Sequence, residues 1–87
     1  MAQIYINNVL VQTTDVTTDQ MLDMVRADET NATRRPYTKD GVYVVPFGRK
    51  GFTSYTLRED GMCVRKVWAQ GLLRQVFTSF DPDGSAE

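Results

Sequence analysis

The sequence predicts an α+β fold, and three observations carry that prediction. A β-prone stretch near the start is split by an Asn pair, one capped amphipathic helix follows, and a run of short alternating segments is punctuated by Gly turns. At 87 residues, 41% hydrophobic and 24% charged, the chain has enough apolar content for one modest core. The reading is a single domain over residues 1–80 and a disordered acidic tail over 81–87.

Residues 3–12 place β-prone triplets on either side of Asn7-Asn8. Asparagine tolerates the positive φ of a two-residue primed turn, so the stretch reads as a β-hairpin, with one long strand as the alternative. Thr17-Thr18-Asp19-Gln20 then fits a capping box, the Thr17 hydroxyl capping and Gln20 reaching back. Met21, Leu22 and Val25 form the apolar face of the helix that follows, with Met24 at its edge, and the helix should fade near residues 28–29. Residues 29–40 are polar, contain Pro36 and read as a long loop.

Residues 41–68 read as a three-strand antiparallel meander. The turns are Gly48-Arg49-Lys50-Gly51 and Glu59-Asp60-Gly61, and Pro46 restricts its strand to an edge or a strand end. In the third strand Met62, Val64 and Trp68 alternate with Cys63, Arg65 and Val67. Over residues 69–80, Trp68, Leu72, Leu73, Val76, Phe77 and Phe80 recur at helical spacing and favour a C-terminal helix. A fourth strand is the alternative, supported by the β-propensity of Val76, Phe77 and Thr78. The opening order of hairpin, helix and strand is similar to that of a β-grasp domain over about the first third of the chain. No Cys cluster or Gly-Gly tail accompanies it, and it implies no family.

The net charge of −1 conceals a strong layout. Residues 1–33 hold one arginine against five acids, residues 34–80 hold nine cations against three acids, and residues 81–87 hold three acids. The segments are thus net −4, +6 and −3. No apolar run approaches the ~20 residues that span a bilayer, and the first residues lack a signal-peptide pattern, so a cytoplasmic protein without a membrane partner is expected.

The chemistry is thin. With no histidine, the commonest acid–base group and metal ligand is missing, together with every Ser-His and Cys-His nucleophile. Cys63 is the only cysteine and falls mid-strand in an apolar setting, which suits inert packing. Asp19 and Asp23 lie on the solvent side of the helix, and Asp81 and Asp83 lack the other ligands of a calcium loop. Hence no catalytic residue, metal site or cofactor is expected, and an unrecognised small enzyme ranks third among the functions considered.

Binding remains. Basic and aromatic residues interleave from Arg34 to Arg74. Tyr, Trp and Arg are the residue types enriched at interface hot spots. Arg34, Arg35, Tyr37, Lys39, Arg49 and Lys50 are therefore the expected protein-contacting residues. The leading expectation is a small accessory protein of a phage or mobile element that inhibits or modulates a host protein or defence complex. The second is a single-stranded nucleic-acid binder using Arg49, Lys50, Tyr55, Arg58, Arg65 and Lys66, in which cations follow phosphates and rings stack on bases. Opposite charge in the two halves also makes a homodimer conceivable.

Overall fold

A computed structural model describes residues 3–6 and 8–80. The elements run β1 (Gln3–Ile6), β2 (Val9–Thr17), α1 (Thr18–Thr30), β3 (Tyr37–Lys39), β4 (Val42–Phe47), β5 (Gly51–Leu57), β6 (Cys63–Ala69) and β7 (Leu72–Phe80). The strands form one mixed seven-stranded sheet in the order β1-β2-β7-β6-β5-β4-β3. All neighbours are antiparallel except β2 and β7, the second and third strands from the β1 edge, which run parallel. The α+β class therefore holds, with one helix against a mixed sheet. The predicted acidic tail lies outside the described residues.

The hairpin at the start forms, with Ile6 opposite Val9 and Asn8 at φ 64° in the turn. β2 then runs on to Thr17, because Thr13, Thr14 and Val16 are as β-prone as the residues before them. The capping box ends it. Thr17 Oγ1 accepts from the Gln20 N–H at 3.1 Å, and Gln20 Oε1 accepts from the Thr17 N–H at 2.8 Å. Such a cap is worth about 1 kcal/mol. The helix extends to Thr30 and presents Met21, Met24 and Val25 to the sheet; Leu22, expected on that face, is 49% exposed.

The loop expected over residues 29–40 is shorter than predicted. The helix takes its first two residues, and Tyr37–Lys39 forms the edge strand β3. The three strands of the meander are present as β4, β5 and β6, and β3 and β7 extend it at either side. Pro46 fits because β3 stops at the Tyr37–Val44 pair. The side of β4 on which Pro46 lacks a donor has by then lost its partner strand.

The predicted C-terminal helix is a strand. Gln70 (φ 55°) and Gly71 (φ 76°) form a tight turn, and β7 returns between β6 and β2. A strand flanked on both sides and loaded on both faces is apolar without clean alternation, and that pattern imitates a helix. A register shift beside Trp68 adds to the disguise, since Trp68 pairs with Leu73 while Val67 pairs with Gln75.

The helix divides the sheet into two unlike faces. Between helix and sheet, Val16, Met21, Val45 and Tyr55 are the buried centre, joined by Met24, Val25, Ala32, Tyr43, Cys63 and Phe77. Each fully buried aliphatic side chain contributes about 1.5–3 kcal/mol. Among the described residues no helix covers the other face.

Candidate partner-binding site

A row of in-register residues crosses the sheet under the helix: Tyr43, Tyr55, Arg65 and Phe77. The tyrosine rings lie 6.2 Å apart, and the Arg65 guanidinium sits 5.1 Å over the Phe77 ring. The helix supplies acids to this row. Arg65 donates twice to Asp28, Nε to Oδ2 at 2.9 Å and NH2 to Oδ1 at 3.0 Å, and the Tyr55 hydroxyl donates to Asp28 Oδ2 as well. The Tyr43 hydroxyl donates to Glu29 Oε2 at 2.6 Å. Burial, and then the bond to Asp28, push the Tyr55 phenol well above its ordinary range. The bond to Glu29 raises Tyr43. Asp28 and Arg65 meet each other's charge, and Glu29 accepts from Tyr43, so the network fastens helix to sheet.

Sequence reasoning missed this network, although a signal was present. Asp28 falls three, four and seven residues after Val25, Met24 and Met21, on the apolar stripe of the helix. An acid in that position needs a buried cation, and Arg65 lies on the matching face of β6.

Beyond the C-terminal end of the helix the same face opens into a pocket of about 270 Å³. Val45, Thr53 and Val67 line it together with Phe47, Asn31, Gln75 and the Asp28–Arg65 pair. Its charged groups already satisfy one another. Cys63 lies outside it, and burial raises its thiol pKa, opposite to what a reactive thiolate needs. Among the described residues no cluster of three or more acids or cysteines is placed to hold a metal ion. Among the described residues no helix is long and apolar enough to cross a membrane.

The predicted protein-contacting residues gather mainly at one end of the sheet. The chain leaves the helix at Asn31, and Thr33 fastens it to the β4–β5 turn. The Thr33 N–H donates to the Pro46 carbonyl at 3.1 Å, and its hydroxyl donates to the Gly48 carbonyl at 3.1 Å. These two clamps, one on β4 and one on the turn that follows it, bring Arg34 and Arg35 to the same end as Arg49 and Lys50. All four are exposed, and among the described residues none is in an ion pair. A groove of about 540 Å³ lies beside them, between the β4–β5 and β6–β7 turns, lined by Phe47, Arg49, Lys50, Ala69 and Gln70. Tyr37 begins β3 near this end, while Lys39 closes β3 at the opposite one. That opposite end is acidic, with Asp40, Glu59 and Asp60 in its turns and Arg58 bound to Asp60 at 2.9 Å.

The residues expected to bind nucleic acid are dispersed. Tyr55 and Arg65 lie under the helix in the Asp28 network, and Arg58 is held at the acidic end. Lys66 lies on the helix-free face, one residue out of phase with Arg65. Only Arg49 and Lys50 of the six share a surface.

No family model matches this chain, and no curated protein or solved structure matches it either.

Proposed function

We propose that this chain is a non-catalytic binding module that engages an acidic protein surface through Arg34, Arg35, Arg49 and Lys50. The double clamp of Thr33 on Pro46 and Gly48 carries this reading, because it fixes a loop pair of cations beside a turn pair. Four exposed cations at one end, in no ion pair among the described residues, create a local positive potential that steers an anionic partner and sets its orientation. The flanking groove supplies an apolar wall at Phe47 and Ala69 for a side chain of that partner. Binding there acts by steric occlusion. In the setting of a phage or mobile element, it inhibits or modulates a host protein.

The test compares the chain with the variant Arg34→Ala/Arg35→Ala/Arg49→Ala/Lys50→Ala in capture from a cell lysate. The full chain should enrich one protein in stoichiometric amount, with retention falling as salt rises, and the variant should lose it. Equal capture by the variant overturns the assignment. Salt-sensitive retention of a labelled single-stranded oligonucleotide, without a captured protein, transfers the basic end to nucleic-acid binding.

A further inference from the structure

The charge of the folded chain is laid out end to end. Arg34, Arg35, Arg49 and Lys50 stand exposed at one end of the sheet, beside the groove lined by Phe47, Ala69 and Gln70. β7 begins at that end and carries the chain to the opposite one, where the Thr18 hydroxyl donates to the Phe80 carbonyl at 3.4 Å. Residues 81–87 follow, with Asp81, Asp83 and Glu87 and no cation. A surface with four positive charges and a segment with three negative ones thus belong to opposite ends of one molecule.

Covalent geometry keeps the two apart within a single copy. The 9 residues of β7 rise ~3.3 Å each, so Phe80 stands ~26 Å from Leu72, and the groove lies farther on. A fully extended chain covers at most ~3.6 Å per residue, which holds Asp83 within ~11 Å of Phe80. Asp81 and Asp83 cannot return to their own basic end, and Glu87 covers the span only at full stretch. Cations at the near end do not replace it. Arg58 is bound to Asp60 at 2.9 Å, and Lys39 lies on β3, four strand spacings or ~19 Å from β7.

We propose that the acidic segment 81–87 of one copy binds the basic end of a second copy, along the groove between the β4–β5 and β6–β7 turns. This rests on the reading of the basic end as an acid-binding surface and adds its regulation. A copy whose basic end is held by a neighbour has none left for another partner. Three acids meet four cations, opposite in sign and nearly equal in number. The contact is heterologous, so a bound pair keeps one free basic end and one free acidic segment, and association continues as concentration rises. Exposed charges make it, so salt screens it.

Sedimentation velocity on the full chain tests this with two complementary variants. Asp81→Asn/Asp83→Asn/Glu87→Gln neutralises the segment and keeps the basic end. Arg34→Ala/Arg35→Ala/Arg49→Ala/Lys50→Ala removes the basic end and keeps the segment. Circular dichroism verifies the fold of each. At low salt the unaltered chain should associate increasingly with concentration, and high salt should return it to monomer. Each variant alone should associate about tenfold more weakly, or less still. Their equimolar mixture should form a one-to-one dimer and stop there, because each intact groove has one intact segment to take. With the segment acids also removed from the basic-end variant, the mixture should stay monomeric. A monomeric parent, a segment variant that associates like the parent, or a mixture indifferent to the segment acids overturns the proposal. Lysate capture separates this reading from the one it rests on. Self-association without a captured partner removes the partner and leaves the self-contact. Capture by a segment variant that still associates like the parent does the reverse.

Discussion

Tyr55 and Arg65 stand directly opposite each other on β5 and β6, and both donate to the same oxygen of Asp28. The guanidinium Nε also lies 3.1 Å from the Tyr55 hydroxyl, so three side chains from two strands and a helix share one junction. Only 12% of the Arg65 side chain and 19% of the Asp28 side chain are exposed. Removing either partner leaves the other charge buried and unmatched, which costs about 3 kcal/mol. Asp28→Ala and Arg65→Ala should each lower stability by about that amount. Asp28→Leu/Arg65→Met should recover much of the loss. Urea unfolding of the four proteins as a double-mutant cycle measures the coupling, and additive losses would contradict the junction.

Alkaline pH reads the same junction through Tyr55. Its phenol titrates higher in the folded chain than in the unfolded one, where the value is about 10. The folded state therefore holds the proton more tightly, and its contribution is full below pH 10. It is lost as pH rises from there toward the folded value. The urea midpoint should fall as pH rises above about 10, and Tyr55→Phe, though less stable at neutral pH, should show a shallower fall. Tyr43, raised by its bond to Glu29, adds a smaller loss in the same window. An equally steep fall in Tyr55→Phe would assign the loss elsewhere.

Gly51 is required by a neighbour and not by its own backbone angle. A Cβ at this position would lie 2.7 Å from two carbons of the Phe47 ring, its partner across the β4–β5 turn. Gly51→Ala should destabilise by about 1–3 kcal/mol through this overlap. Gly51→Ala/Phe47→Leu should be closer to the parent than the sum of the single losses. Thermal unfolding of the three variants checks it.

Gln70 occupies the left-handed region at φ 55°, where a residue with a β-carbon is disfavoured by about 1–2 kcal/mol. It is exposed in the β6–β7 turn. Gln70→Gly should raise stability by a few tenths to about 1 kcal/mol, and Gln70→Asn by less. A loss of stability on Gln70→Gly would mean that the side chain holds the turn.

Legibility in the sequence followed the range of the interactions. The Thr17–Gln20 cap, the Asn pair and the Gly-bearing turns act over two to four residues, and each was readable in place. β7 was not, because its identity depends on β2 and β6 lying to either side of it. Its residues must satisfy two faces, and Leu73, Val76, Phe77 and Phe80 then repeat as a helix would. The site divided along the same line. The types of cation at Arg34, Arg35, Arg49 and Lys50 were visible, but the clamp through Thr33 that joins them spans 13 to 15 residues and leaves no local pattern. Tyr55 and Arg65 looked like surface binders because their partner, Asp28, stands 27 and 37 residues away.

The parallel pair of β2 and β7 has a consequence for assembly in time. Gln12 must find Gln75, 63 positions later, and β7 must enter between a strand made early and one made late. Until Phe80 is available, β1 and β2 are a hairpin with no third strand, and β3 to β6 are a separate ribbon. Such long-range closure gives high contact order and slow folding, and during synthesis it leaves the hairpin edge unpaired until the last strand emerges. The same strand makes the two parts one cooperative unit, so cleavage before Leu72 would separate the β1–β2 hairpin from the rest of the sheet and not merely trim an edge.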